Sequence, residues 1–144
     1  MRYYYKSEKM AAYWALKNLA DTLPETPKSA RESPEWGTIV FRWEDLEEGG
    51  YCYAYQWPLY ASPDPDGLWR PLGRVPAGTE EWAYCHTHPN DTFFSTIDTA
   101  TAEREKTVMY MVCRSGAYWF DGKTEGLSRS ARFGILWGTY PGKD

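Results

Sequence analysis

Histidine and cysteine are the scarcest reactive side chains in this chain, with two of the first and three of the second in 144 residues. Cys52, Cys85 and Cys113 are an odd and sparse set. They do not make the disulfide framework of a small secreted domain and read as reduced thiols packed in the interior. No apolar run approaches the roughly 20 residues that span a bilayer. Met1-Arg2-Tyr3-Tyr4-Tyr5-Lys6 does not lead into the apolar stretch of a signal peptide either. The expectation is a cytoplasmic chain that makes no membrane contact. Blocks of basic charge are also missing: 16 Lys and Arg against 20 Asp and Glu leave a net charge of −4. The basic residues are scattered, so there is no electrostatic footprint for nucleic acid and no polybasic patch for lipid.

What the chain has in excess is aromatic: 17% of residues, including 8 Trp and 12 Tyr. Such side chains fill cores, while Tyr and Trp also suit faces that are half apolar and half wet. Most of them read as core. Length and a hydrophobic content of 42% suit one domain over residues 1–144, with no internal repeat.

Taken in order, Ser7 to Leu23 reads as a helix, with Ala12, Leu16, Leu19 and Leu23 at helical spacing, Ser7 as N-cap and Pro24 as its stop. A proline-broken connector leads to Thr38-Ile39-Val40-Phe41, an apolar run suited to a strand buried on both faces. After Gly49-Gly50, Tyr51 to Trp57 alternates large and small side chains, as a strand with two unlike faces does. Pro58 to Thr79 is rich in proline, glycine and aspartate and reads as a long loop. Strands are expected at Glu81 to His88, Thr107 to Cys113, Ala117 to Phe120 and Phe133 to Trp137, with a second helix from Ser95 to about Lys106. The sum is an α/β or α+β domain of about six strands and two principal helices.

Both histidines fall in one stretch, Cys85-His86-Thr87-His88-Pro89, and Asp98 follows ten residues later. Strand alternation points His86 and His88 to one face, where they can share a metal ion. His86, His88 and Asp98 would supply the three protein ligands of a catalytic zinc site, whose fourth position stays open to water. Zinc is the default for such donors, with manganese and iron as alternatives. The plainer reading of Ser95 and Asp98 is an N-cap with an acid in the first helical turn. Cys85 beside the histidines invites a thiol-nucleophile reading, but alternation turns it to the opposite face.

The order His-x-His-Pro, short loop, Ser-x-x-Asp, carried by His86, His88, Pro89, Ser95 and Asp98, resembles the signature of the JAB/MPN (JAMM) metallopeptidases. Six residues separate His88 from Ser95, one fewer than in the eukaryotic deubiquitinating members. Glu35-Trp36-Gly37-Thr38-Ile39-Val40-Phe41 is similar to the family's glutamate leading into an apolar strand. The resemblance implies a mixed β-sheet flanked by two principal helices, in the JAB/MPN-like (cytidine deaminase-like) architecture. It also implies Zn2+ on His86, His88 and Asp98, Glu35 as general base and Ser95 steadying the oxyanion. The implied activity is hydrolysis of peptide or isopeptide bonds in a protein or peptide substrate. Glu44, Glu47 and Glu48 compete with Glu35 but sit at the far end of that strand.

From about Glu8 to Phe120 the chain is similar to a compact bacterial branch of this fold, found alone and at the C-termini of Rhs-type and other polymorphic toxins. That likeness implies a toxin or effector domain delivered by a secretion system, with an immunity protein as partner. The contrary expectation is a catalytically inactive MPN-like scaffold that binds protein through the Tyr51, Tyr53, Tyr55 and Trp57 face. Zinc-dependent amidase or nuclease chemistry is a third reading, and the acidic balance disfavours the nuclease.

Overall fold

The computed structural model describes residues 4–62, 75–122 and 129–132. Its first helix, α1 (Glu8–Ala20), starts where Ser7 in extended conformation accepts a hydrogen bond from Met10 N at 3.1 Å. It stops three residues before the expected Leu23. There Thr22 N and Leu23 N bond to Leu19 O and Ala20 O, one residue tighter than an α-helix, and Pro24 cannot continue the ladder. The helix buries Ala11, Ala12, Ala15, Leu16 and Leu19 completely. Three of these are alanines, so the backbone can approach the sheet closely. Leu16 and Leu19 each contribute about 1.5–3 kcal/mol by leaving water.

Strands β1 (Trp36–Glu44), β2 (Tyr51–Tyr55), β3 (Tyr60–Ala61), β4 (Glu80–Thr87), β5 (Val108–Cys113), β6 (Gly116–Asp121) and β7 (Arg129–Arg132) form one sheet in the order β2-β1-β4-β5-β6-β7. β3 pairs with the start of β1. The sheet is mixed: β4 and β5 run parallel, and the other pairs are antiparallel. A parallel neighbour needs a crossover. Helix α2 (Thr96–Glu105) supplies it between β4 and β5.

Strand alternation divides the core in two. Val40, Ala83, Cys85, Val108, Tyr110 and Val112 pack with α1, whereas Ile39, Tyr84, Met109 and Phe120 pack with Ala102 of α2. The protein is thus α+β, a mixed sheet with one helix against each face. Thr38 to Phe41 are all buried, as a strand covered on both sides requires. In β2 the small Cys52 and Ala54 are buried, while Tyr51, Tyr53 and Tyr55 lie on the more open face.

Two strands were not foreseen. β3 lies inside the segment read as a long loop, where backbone pairing to Trp36 and Gly37 outweighs its loop-like composition. β7 extends the sheet beyond β6. The strand expected at Phe133 to Trp137, and residues 63–74 of the expected loop, lie outside the described residues. Among the described residues, no helix is long and apolar enough to cross a membrane.

Candidate metal centre

The C-terminal end of β4 meets the N-terminus of α2 on the α2 side of the sheet, and both histidines sit there. His86 is 1% exposed and His88 4%. Their Nε2 atoms lie 3.0 Å apart, which places both on one strand face as alternation predicts. His88 Nδ1 is 3.0 Å from the Thr92 carbonyl oxygen, which can only accept, so this nitrogen carries the proton. In the neutral ring the Nε2 lone pair then faces the cluster.

Asp98 comes to the same point from α2. Ser95 is the N-cap: its Oγ accepts from Asp98 N at 3.1 Å, and Asp98 Oδ2 accepts from Ser95 N at 3.0 Å. This capping box satisfies two helix-end donors and fixes the carboxylate in space. Asp98 Oδ1 is then 3.2 Å from His86 Nε2, and Oδ2 is 3.0 Å from His88 Nε2. The short loop between His88 and Ser95 leaves Asp98 beside both rings. The loop closes through a left-handed turn at Asp91 (φ 59°), with Asp91 N bonded to His88 O.

The fourth group is Glu35, at the mouth of β1, with Oε1 3.7 Å from His88 Nε2 and its side chain 22% exposed. Among the described residues, Glu35, His86 and His88 offer ligand atoms that all lie within 4.8 Å of one another. Burial opposes the charge on Asp98, but the charges and hydrogen bonds of His86 and His88 outweigh it and hold this carboxyl well below the usual range. Burial likewise disfavours the His86 cation, and the charge and hydrogen bond of Asp98, with the charge of Glu35, raise its pKa instead. Cys85 is fully buried in the α1 cluster, on the other face of β4. There burial, and the nearby charge of Glu8, push its thiol well above the ordinary value. That is the opposite of what a nucleophilic cysteine needs.

Several supporting groups carried no signal in the sequence. Thr87 Oγ1 accepts from Trp36 N at 3.0 Å, and Ser62 N donates to Glu35 O at 2.8 Å, so the single peptide joining Glu35 to Trp36 is tied to β4 through its N–H and to the end of β3 through its carbonyl. Gly37 pairs with His86 across the β1–β4 ladder. These bonds join residues up to 51 positions apart, and local pattern reading has no access to them. Glu44, Glu47 and Glu48 sit at the opposite end of β1 and are exposed. Beside the cluster, Phe93 and Ile97 are about half exposed, at 48% and 45%. The chain matches no known protein-family model, no curated protein and no solved structure.

Two imidazole nitrogens and two carboxylates converging at one partly covered point suit a divalent first-row ion. Without an ion such a group is costly to bury, because two imidazoles and two carboxylates crowd a space where their charges lose hydration. A cation at that point would remove both penalties. By donor chemistry the residues fit a metal.

Proposed function

We propose that this chain is a metal-dependent hydrolase of the JAB/MPN type, with zinc as its ion and the peptide or isopeptide bonds of polypeptides as its substrate class. The observation that carries the reading is the convergence of Glu35, His86, His88 and Asp98 from three separate segments of the chain. The strand–loop–helix order, with His-x-His at the end of β4 and Ser-x-x-Asp at the cap of α2, supports the JAB/MPN assignment of the architecture.

His86, His88 and Asp98 hold the ion. When bound, zinc would supply Lewis acidity toward a carbonyl oxygen and would acidify the attacking water. Glu35 is the base: its carboxylate is partly open to solvent and lies at the edge of the cluster, so it takes the proton from the attacking water and returns it to the leaving amine. Ser95 Oγ accepts from Asp98 N, which leaves its own hydroxyl hydrogen to be donated to the substrate carbonyl oxygen as negative charge gathers there. Phe93 and Ile97 give an apolar surface beside these groups on which a substrate chain can rest.

The test is metal content by elemental mass spectrometry on untagged wild type and His88→Ala, followed by a peptide and isopeptide cleavage screen with Glu35→Gln as control. The expected result is about one zinc per wild-type chain and none in His88→Ala. Glu35→Gln should keep its zinc and lose about 10²–10⁴-fold in turnover. No zinc in wild type, even after zinc is offered at neutral pH, overturns the proposal in favour of a binding scaffold.

A further inference from the structure

Four hydrogen bonds order the loop from β4 to α2, one of them made by His88 itself. His88 N donates to Val112 O at 3.0 Å, and Lys28 N donates to Pro89 O at 2.9 Å. Thr92 Oγ1 donates to Asn90 Oδ1 at 2.8 Å. The fourth is made to Asp91, whose Oδ1 accepts from Ser115 N at 2.8 Å, in the turn between β5 and β6. Asp91 is also one of two non-glycine residues with positive φ among the described residues. Aspartate and asparagine tolerate that conformation better than other side chains. The residue after it, Thr92, presents the carbonyl that receives the His88 Nδ1 proton.

We infer that Asp91 is a positioning residue for His88: by anchoring a left-handed turn to the β5–β6 hairpin, it aims the Thr92 carbonyl at Nδ1 and so fixes which nitrogen of His88 faces the cluster. The chain of contacts runs from Ser115 N to the Asp91 carboxylate, through the turn to Thr92 O, and on to the imidazole. It reaches the ring at Nδ1, away from the Nε2 that faces Asp98 and Glu35. It also gives a physical account of the loop's length. A left-handed residue reverses the chain in one step, and the Ser115 anchor supplies the stiffness that a flexible connector would lack. A purely structural role, in which Asp91 holds the turn and nothing more, makes different predictions.

The inference rests on the metal reading for its consequence, though not for its geometry. Three variants separate the contributions. Asp91→Asn keeps an acceptor for Ser115 N and tolerates positive φ. Asp91→Gly tolerates positive φ but has no acceptor. Asp91→Ala has neither. Zinc affinity, measured by competition with a chromophoric chelator, should fall about 10–100-fold in Asp91→Gly and Asp91→Ala, the range for losing the hydrogen-bond support of a ligating histidine. Asp91→Asn should stay near wild type.

On zinc-free protein, nitrogen-15 NMR should show His88 fixed in the Nδ1–H tautomer in wild type and Asp91→Asn, and exchanging between tautomers in Asp91→Gly. A purely structural role would lower thermal stability in Asp91→Ala and leave both readouts unchanged in Asp91→Gly, which would overturn the inference. If wild type binds no zinc while the tautomer still depends on Asp91, the metal reading falls and the positioning role stands.

Discussion

Zinc should stabilise the folded protein against heat, and the size of the effect follows from linkage. His86, His88 and Asp98 converge in the folded chain only because β4 and the capped α2 hold them there, whereas the unfolded chain presents no preformed site, so an ion on these three should bind the native state selectively. With free zinc at about 100 times its Kd, the stabilisation is about 2.7 kcal/mol. At roughly 3 °C per kcal/mol for a domain of this length, the melting temperature rises by about 8 °C. His88→Ala deletes one donor and should weaken binding by well over the ~100-fold that loss of a ligand's hydrogen-bond partner brings. At a thousandfold weaker affinity the same zinc supplies under about 0.1 kcal/mol, and the rise vanishes. Asp98→Ala should behave alike, from a lower starting point because it also opens the α2 capping box. The assay is differential scanning fluorimetry with and without zinc on each variant, scored as the difference within a variant so that its own stability cancels. Calcium, which prefers oxygen ligands, is the control. A zinc rise of equal size in His88→Ala, or an equal rise with calcium, would refute the site, because the effect would then come from exposed carboxylates elsewhere.

Three further outcomes test the fold around the site. Ser95→Ala removes the N-cap acceptor of α2 and should lower stability by about 1 kcal/mol, read as a shift in urea midpoint, with Ser95→Thr recovering most of it. A Cβ built on Gly122 would lie 2.2 Å from Ala102 O and 2.3 Å from Ala102 C, both backbone, so Gly122→Ala must push α2 away from β6. It should cost about 1–3 kcal/mol by urea denaturation, whereas the three atoms nearest a Cβ at Gly116 all belong to the Tyr118 side chain, which can shift, so Gly116→Ala should cost less; equal effects would contradict this packing. The hydrogen bond from Lys6, and those from the backbone of Glu48 and Glu47, lower the Asp45 carboxyl from an ordinary 3.8 to about 2. The folded value lies below the unfolded one, so this contribution to stability is complete above about pH 4 and is lost as pH falls through about 2. Asp45→Asn should therefore flatten the acid limb of stability between those values, and an unchanged limb counts against the pair.

Local determinants explain what could be read from the sequence. Ser7 and Ser95 announced both helix starts because an N-cap is a chemical requirement of the helix end, and both cap bonds are present. The C-terminal end of α2 was foreseen near Lys106, which takes the left-handed conformation as its C-cap. The shared face of His86 and His88 followed from strand period alone, and so did the burial of Cys85 on the other side. What stayed hidden is non-local. That β4 pairs with β5 in parallel, that β3 folds back onto the start of β1, and that Thr87 holds Trp36 N are outcomes of register and crossover, which no window of the sequence encodes. Asp91 was passed over for a different reason. A left-handed aspartate anchored to a distant hairpin has the same sequence signature as any polar loop residue.

The two halves of the candidate site therefore depend on folding in different ways. Asp98 is placed by a helix cap: the same Oδ2 that accepts from Ser95 N lies 3.0 Å from His88 Nε2, so whatever orders the first turn of α2 also orders the ligand. Glu35 is placed by the sheet, through Thr87 below it and Ser62 beside it, and it reaches the histidines only once β1 has paired with β4. A buried imidazole pair against two carboxylates is costly while no cation shares the space. An ion held by His86, His88 and Asp98 offsets that cost as soon as β4 and α2 are in place, because a chain with α2 capped but β1 unpaired already offers those three donors without Glu35. Metal affinity then reports on the local β4–α2 unit, and proton transfer reports on the completed β1–β4 ladder. Variants that loosen the ladder should consequently separate the two, keeping the ion and losing the base.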